Sequence, residues 1–430
     1  MSPQRYDFGS ILETSFLVLI FSLGFMQPNL VVGGYPIPAS DLIFLTVGGI
    51  WVVGLNFRRV EFRFDKSYLI LALYFTGLLL SAVFSEQPGS SLFKLVGETY
   101  LIGLAVMASN LVRTSGMLKK VVLVWIGASA TVAVIGTLTV IFFYLGLTNV
   151  VTEFSSHHYG SLPPGNYVRL QGTFLFPSIL CNYLTASLLM LLAGKKLGWV
   201  GHPVFFLVSL LFSITILFTV TPGIGGALLA VSFWYWLISK RDNRPYLPKM
   251  VLAGGVIAAA AFLIVSTFSL IASPTSPYFF SLAGIRIDPS QRLLTWQGAF
   301  HTFLQNPFFG KGLGLGVAEV YFMPPSGQIQ LLTDAHNTFL NVAGQAGLFG
   351  ILPLFAVCTV VIFRLRQIKI GVSEISLVRL CLGIAFITAF LYQGLVGSFE
   401  NTRHLWVLIG LILAAARLSD GGSQTAGVIS

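Results

Sequence analysis

The chain is short of charge and nearly free of cysteine, and each shortage removes a class of protein. Charged residues make up 9% of its 430 residues against 55% hydrophobic ones, and the mean hydropathy is +0.84. Soluble domains carry about 25% charged residues, so a water-soluble enzyme is excluded. The three cysteines, Cys181, Cys358 and Cys381, stand far apart in apolar stretches. They offer neither a disulfide framework nor metal-ligand spacing and suit ordinary helix packing. Gly-x-Ser-x-Gly nucleophile and zinc motifs are missing. His157 and His158 have no Cys, Asp or Glu at a suitable spacing, so they read as part of a solvated loop, and no metal site is expected. Gly310, Gly312, Gly314 and Gly316 alternate but follow no predicted strand. They read as a flexible turn, not as a nucleotide-binding loop.

What the chain has is apolar sequence in long runs. A bilayer core about 30 Å thick needs roughly 20 apolar residues per helix. Twelve runs meet that description: about 11–29, 38–56, 67–84, 92–112, 118–146, 176–193, 203–221, 224–239, 250–273, 337–363, 375–397 and 403–418. The expected fold class is therefore all-α, a polytopic membrane protein with about 12 transmembrane helices in a single domain over 1–418. A β-barrel would show short alternating segments instead. The first run is too long for a cleaved signal and lacks a small-residue cleavage site, so it reads as a retained span. Residues 419–430 are polar and rich in small residues, and read as a disordered cytoplasmic tail.

The net charge of +10 invites a nucleic-acid partner, but its distribution argues against one. With the N-terminus in the cytoplasm, all but six of the 25 Lys and Arg residues fall on the inner side, as the positive-inside rule requires. The six on the outer side are Lys94, Arg169, Arg286, Arg292, Lys311 and Arg403. Two outer connections are long, about 147–175 and about 274–336, the second lying between spans 9 and 10. Loops of that length in compact proteins are usually functional, so the chemistry is expected on the outer face.

Residues 333–350, TDAHNTFLNVAGQAGLFG, carry His336 where the second loop enters a span. An ionisable group at that boundary is a functional candidate. A helix N-terminus disfavours imidazolium, which leaves the neutral form that a general base needs. The competing reading is that Asp334 or Asn337 caps the helix and His336 is only an interfacial polar residue. Arg169, Arg286 and Arg292 can bind phosphate bidentately, or can pair with outer carboxylates such as the neighbouring Asp288. Lys94 and Glu98, four apart, read as a helix pair. Leu293, Trp296, Phe300, Phe303 and Leu304 recur at helical spacing. That stripe either lies in the membrane interface or packs on the bundle.

Three segments together carry a family resemblance: RLQGTFLFP at 169–177, RLLTWQGAFHTFLQNPFFGKGLG at 292–314 and HNTFLNVAGQAGLFG at 336–350, with FENTRHLW at 399–406 also fitting. The chain resembles the O-antigen ligase and polymerase superfamily over roughly 75–415. The resemblance implies a cofactor-free membrane glycosyltransferase of C-type architecture in the bacterial inner membrane. Its termini would be cytoplasmic and its active site periplasmic. Such enzymes take a glycan from undecaprenyl diphosphate; ligases pass it to lipid A–core, polymerases to another glycan repeat. The resemblance implies that His336 is the base. It puts Arg292 and Arg169 on the donor diphosphate, with Arg286 a further candidate, and Asn337, Asp334, Trp296 and Arg403 in support. The histidine segment is most similar to the ligase branch. In one place the pattern departs: many relatives carry an arginine at the turn into span 8, whereas TPGIGGA at 221–227 has none. Either Arg169 or Arg286 substitutes, or the donor is held differently. The rival class is a transporter or lipid flippase. Twelve spans suit it, but no repeat is visible and few charges lie near span centres, where coupling sites sit.

Overall fold

The computed structural model describes residues 8–27, 29–32, 35–147, 156–159, 167–239, 246–268, 280–282, 285–287, 292–322, 329–366 and 373–425. Their helices are α1 (Phe8–Ser22), α2 (Ala39–Asn56), α3 (Ser67–Val83), α4 (Pro88–Leu111), α5 (Ser115–Tyr144), α6 (Pro177–Lys196), α7 (His202–Phe218), α8 (Gly223–Ser239), α9 (Tyr246–Phe268), α10 (Arg292–Gln305), α11 (Thr338–Arg366), α12 (Glu374–Ala385) and α13 (Arg403–Thr425). A π-helical segment, Phe386–Tyr392, continues α12.

Every predicted span falls on one of these helices; α10 is the one in between. Seven helices are long and apolar enough to cross a membrane: α2, α4, α5, α6, α9, α11 and α12 with its π-helical end. The apolar helices α1, α3, α7 and α8 are shorter, at 15 to 17 residues. Length and composition therefore support a polytopic membrane protein, with seven full-length spans among the described residues where the sequence suggested twelve. The first predicted span is cut short because the chain turns after Ser22, where the Met26 and Gln27 amides both donate to the Thr173 carbonyl at 2.9 Å.

The all-α expectation holds for the bundle, with a few short strands added. Four antiparallel hairpins stand in the connections expected on the outer side: β1–β2 (Asn29–Val32 with Tyr35–Pro38), β3–β4 (Ser156–Tyr159 with Tyr167–Leu170), β5–β6 (Phe280–Leu282 with Ile285–Ile287) and β7–β8 (Val320–Phe322 with Gln330–Leu332). Backbone groups outside helices still need partners, and a two-stranded ribbon supplies them locally over segments too short for a helix-period search to detect. The tail expectation shifts. Helix α13 runs to Thr425; within it Ser419 donates back to the Ala415 carbonyl at 2.8 Å and accepts from Arg379 Nη1 at 2.9 Å. Residues 426–430 lie outside the described residues.

The centre of the bundle is α6, α12 and α13; from Leu405 to Ala416 the side chains of α13 are almost wholly buried. α13 packs on α4, and α3 on α11. Glycines bring these backbones together: a Cβ at Gly410 would lie 2.4 Å from the Ala105 carbonyl of α4. Close crossings of this kind drive helix association where lipid competes for apolar surface. The outer faces carry exposed apolar side chains such as Leu45, Leu69, Phe206 and Ile257.

Candidate functional site

The site is built where α11 opens. Asn337 caps that helix, its Oδ1 accepting from the Phe339 and Leu340 amides at 3.0 and 3.1 Å. His336, just ahead of the cap, has φ +49°, a left-handed conformation uncommon for a side-chain-bearing residue. Asp334 holds it there, accepting from the His336 amide at 2.6 Å. The same oxygen, Oδ1, lies 3.2 Å from His336 Nδ1. The two side chains form a carboxylate–imidazole dyad. With Nδ1 engaged, Nε2 is the nitrogen left to take a proton, and the imidazole is 45% exposed, so substrate can reach it. Asp334, expected as a cap or support, is the residue that orients the ring.

Asp334 is itself held. Its Oδ1 accepts from the Ser398 hydroxyl at 2.6 Å and its Oδ2 from Asn341 Nδ2 at 3.0 Å. Burial pushes this carboxyl up, but the hydrogen bonds and charge of His336, with Ser398, outweigh burial and hold it at about 2. It is ionised at any physiological pH. Asn341 reaches a second acid, donating to Glu400 Oε1 at 2.8 Å. Glu400 is 6% exposed, and its Oε2 has no hydrogen-bond partner among the described residues. Burial, and then the Asp334 charge, push its carboxyl up to about 7.

The loop from Leu395 to Glu400 clasps the start of α11. The Thr338 amide and hydroxyl both donate to the Gly397 carbonyl, at 3.1 and 3.0 Å, and the Phe399 amide donates to Thr338 Oγ1 at 2.9 Å. From the other side comes α10. Thr295 Oγ1 lies 2.9 Å from the Arg292 carbonyl and 3.2 Å from the Ala335 carbonyl. One hydroxyl thus ties Arg292, at the N-terminus of α10, to the residue beside His336.

The glycine-rich segment after α10 is a docked plug, which corrects its reading as a flexible turn. Helix α11 breaks at Gly347, φ +59°. The carbonyls of Gly344 and Gln345 accept from the Lys311 and Gly312 amides at 2.9 and 3.0 Å. Past the break, the Leu348 and Phe349 amides donate to the Pro307 and Phe308 carbonyls at 2.7 and 3.2 Å. The Asn-Pro-Phe-Phe-Gly-Lys-Gly segment therefore satisfies backbone groups that a broken helix in an apolar setting would leave costly. Both strands of the contact need glycine, since a Cβ at Gly310 or Gly347 would fall within 2.3 Å of the other's backbone.

The stripe on α10 splits. Leu293, Phe300 and Leu304 are exposed, as an interfacial helix requires, while Phe303 packs on the core. The face against the protein is made of small residues: Thr295, Gly298 and Ala299. Trp296 buries its indole N–H without a hydrogen-bond partner among the described residues.

The remaining cations divide. Arg169, in β4, donates from Nε to the Thr219 carbonyl at 3.2 Å, at the turn into α8 that has no cation of its own. That turn connects to the site: the Gly223 carbonyl accepts from Gln393 Nε2 at 2.8 Å, and Gln393 leads directly into the Leu395–Glu400 loop. Arg286 stands opposite Ser281 in the β5–β6 hairpin, and its side chain lies outside the described residues, as do those of His157 and His158. Arg403 is engaged elsewhere. It clamps Asp41 of α2 through Nε and Nη2 at 2.5 and 2.6 Å and lies over the Tyr100 ring. Lys94 and Glu98 pair at 3.7 Å, as their spacing predicted. Sequence reasoning missed Asn341, Ser398 and the role of Glu400. The available signal for Glu400 was an acid at the mouth of a span.

No curated protein matches the chain. A family model described as O-antigen ligase matches residues 182–355, from α6 through most of α11. The match takes in Arg286, Arg292, Asp334 and His336, whereas Arg169 and Glu400 lie outside it. It covers the same two motifs that surround the dyad, and over these residues the chain is similar to the O-antigen ligase family.

Proposed function

We propose that the protein is an O-antigen ligase of the bacterial inner membrane, transferring a glycan from undecaprenyl diphosphate to a sugar hydroxyl of lipid A–core on the periplasmic face. The observation that carries this reading is the Asp334–His336 dyad at the opening of α11, tied through Thr295 to Arg292. An imidazole with one nitrogen engaged by a carboxylate and the other exposed is arranged as a general base. In the proposed step, His336 Nε2 takes the proton of the acceptor hydroxyl as its oxygen attacks the anomeric carbon. The bond from that carbon to the diphosphate breaks, its electron pair leaves on the diphosphate, and the configuration inverts. Arg292, Arg169 and Arg286 are assigned to the charge that develops on the leaving group. Asp334 keeps the ring in the required tautomer, and Asn337 keeps the helix start in place. Trp296 supports Arg292 from the next turn of α10. Arg403 has a structural part, joining α13 to α2. The exposed Leu293, Phe300 and Leu304 of α10 offer a surface for the polyprenyl chain. The chemistry is proposed to need no metal.

Purified protein in detergent, given undecaprenyl-diphosphate-linked glycan and lipid A–core, should form glycosidic product at an undiminished rate in EDTA. A transporter or flippase has no gradient to act on there and would form none. A polymerase shares the step but not the acceptor. In a deletion strain, long chains missing from the core with polymer held on the carrier lipid mark a ligase; a core bearing one repeat marks a polymerase.

A further inference from the structure

The segment that leads from β8 into the dyad also walls a cavity. Thr333, which directly precedes Asp334, is one of its lining residues. The cavity has a volume of about 280 Å³. Three separate pieces of chain form it: the turn between α3 and α4 with Glu86 and Gln87, the segment after α10 with Lys311 and Glu319, and the β7–β8 hairpin with Tyr321, Leu331 and Thr333. Tyr321 and Leu331 stand directly opposite each other in the hairpin register, and cross-strand partners present side chains on one face. They give one wall an apolar platform. The pieces are fixed to one another. Lys311 and Glu319 form an ion pair, the Glu86 amide donates to the Lys311 carbonyl at 3.2 Å, and the Val317 and Ala318 amides donate to the Thr333 carbonyl at 2.8 and 3.1 Å.

We propose that this cavity, between Glu86, Gln87, Lys311, Glu319, Tyr321 and Thr333, binds a neutral sugar ring of a glycan substrate, a ring next to the one that reacts at His336. The proposal rests on the glycosyl-transfer reading above. A pyranose has an apolar C–H face and a rim of hydroxyls. Tyr321 and Leu331 match the first; carboxylates, a carboxamide and a threonine hydroxyl match the second. The volume lies just under the roughly 300 Å³ at which small-molecule sites begin, which suits one ring and not a chain. The charge selects against phosphate. Glu86 and Glu319 are two negative charges against Lys311, and Lys311 is already paired. The donor diphosphate is thus excluded from this cavity and left to the arginines. A subsite for a ring that does not react lets remote binding contribute to rate and specificity, and its position at Thr333 sets the reacting ring near His336.

Two arms test this. Steady-state transfer by the full-length protein in detergent is measured for Tyr321→Ala and Gln87→Ala against wild type, varying lipid A–core and donor separately. Each variant should raise KM about tenfold for one of the two substrates, with kcat within about twofold, and the substrate affected tells whether the ring belongs to acceptor or donor. Unchanged KM for both substrates, or a fall in kcat alone, overturns the proposal. Tyr321 is 71% exposed, so its truncation does not threaten folding. The second arm uses calorimetry on His336→Ala protein, titrated with lipid-free core oligosaccharide and with the free repeat oligosaccharide. One of them should bind, and adding Tyr321→Ala should weaken that binding about tenfold. If wild type makes no product but this binding and its loss are seen, the reaction is wrong and the sugar site stands. If product forms but neither sugar binds in a Tyr321-dependent way, the site is wrong and the reaction stands.

Discussion

The two ends of the bundle treat a buried carboxylate in opposite ways. At the end expected in the cytoplasm, Asp65 is 5% exposed, accepts from the Ser67 amide at 2.9 Å and pairs with Arg364 at 2.9 Å. Burial alone would push its carboxyl up, but the Ser67 bonds and the charges of Arg364 and Arg417 outweigh burial and lower it. At the other end, Glu400 is as deeply buried, has an amide donor but, among the described residues, no cation in contact (Lys94 acts on it only from a distance), and lies near a second carboxylate. Its carboxyl rises to about 7. Cations at the first end are spent on structure: Arg113 and Arg417 donate to backbone carbonyls there, at Glu61 and Ser109. At the second end Glu400 is left without such compensation, near the carboxylate that holds an exposed imidazole. Perturbed carboxyls that a protein does not neutralise gather at functional sites, and this contrast supports the proposal that one end is scaffold and the other the site.

The contrast can be broken in four places, in descending order of effect. His336→Ala should lower transfer by about 100-fold or more, the usual contribution of a general base, with thermal stability unchanged; turnover and a melting curve check it. Asp334→Asn keeps the shape but removes the charge behind the ring, and should cost roughly 10–100-fold in kcat, as lost partners of a reacting imidazole do. Next comes Glu400→Gln. A carboxyl raised in the folded state, here from 4.5 to about 7, binds its proton more tightly when folded. Its stabilisation is full below about 4.5 and is lost as pH rises to about 7. The glutamine variant should lack this loss and so gain on wild type by about 3 kcal/mol across the window. Melting temperatures at pH 5 and pH 8 read it; equal shifts at both would show that Glu400 is not perturbed.

Asp65→Asn is the smallest and has the opposite sign. A lowered carboxyl gives stability that is present above its ordinary value of 3.8 and lost as pH falls through the lower folded value. Arg364 is partly exposed and solvent weakens the pair, so the loss at neutral pH should be about 1–2 kcal/mol, with kcat within about twofold. A large fall in activity from Asp65→Asn, with stability held, would erase the distinction between the ends.

Much of this was legible in the sequence because a bilayer imposes simple demands. Runs of apolar residues located every helix now placed in the bundle. His336 was legible as a lone ionisable group in an apolar setting. What could not be read was set by long-range contact. Ser398 and Glu400 meet Asp334 and Asn341 only because α12 and α13 fold back against α11. The purpose of Gly310 was hidden because it answers a break in α11 at Gly347, and neither glycine explains itself alone. Arg403 looked like a spare outer cation because its partner, Asp41, lies at the far end of the chain. The hairpins escaped because strands of three or four residues leave almost no period to detect.

The central claim is that His336 moves a proton during transfer and does nothing else. The measurement that tests it most directly is single-turnover transfer by purified His336→Ala protein, with binding of the undecaprenyl-diphosphate donor measured on the same sample. The account predicts donor binding within about twofold of wild type and a chemical step slowed about 100-fold or more. A chemical step at the wild-type rate, or donor binding lost along with it, would contradict the account.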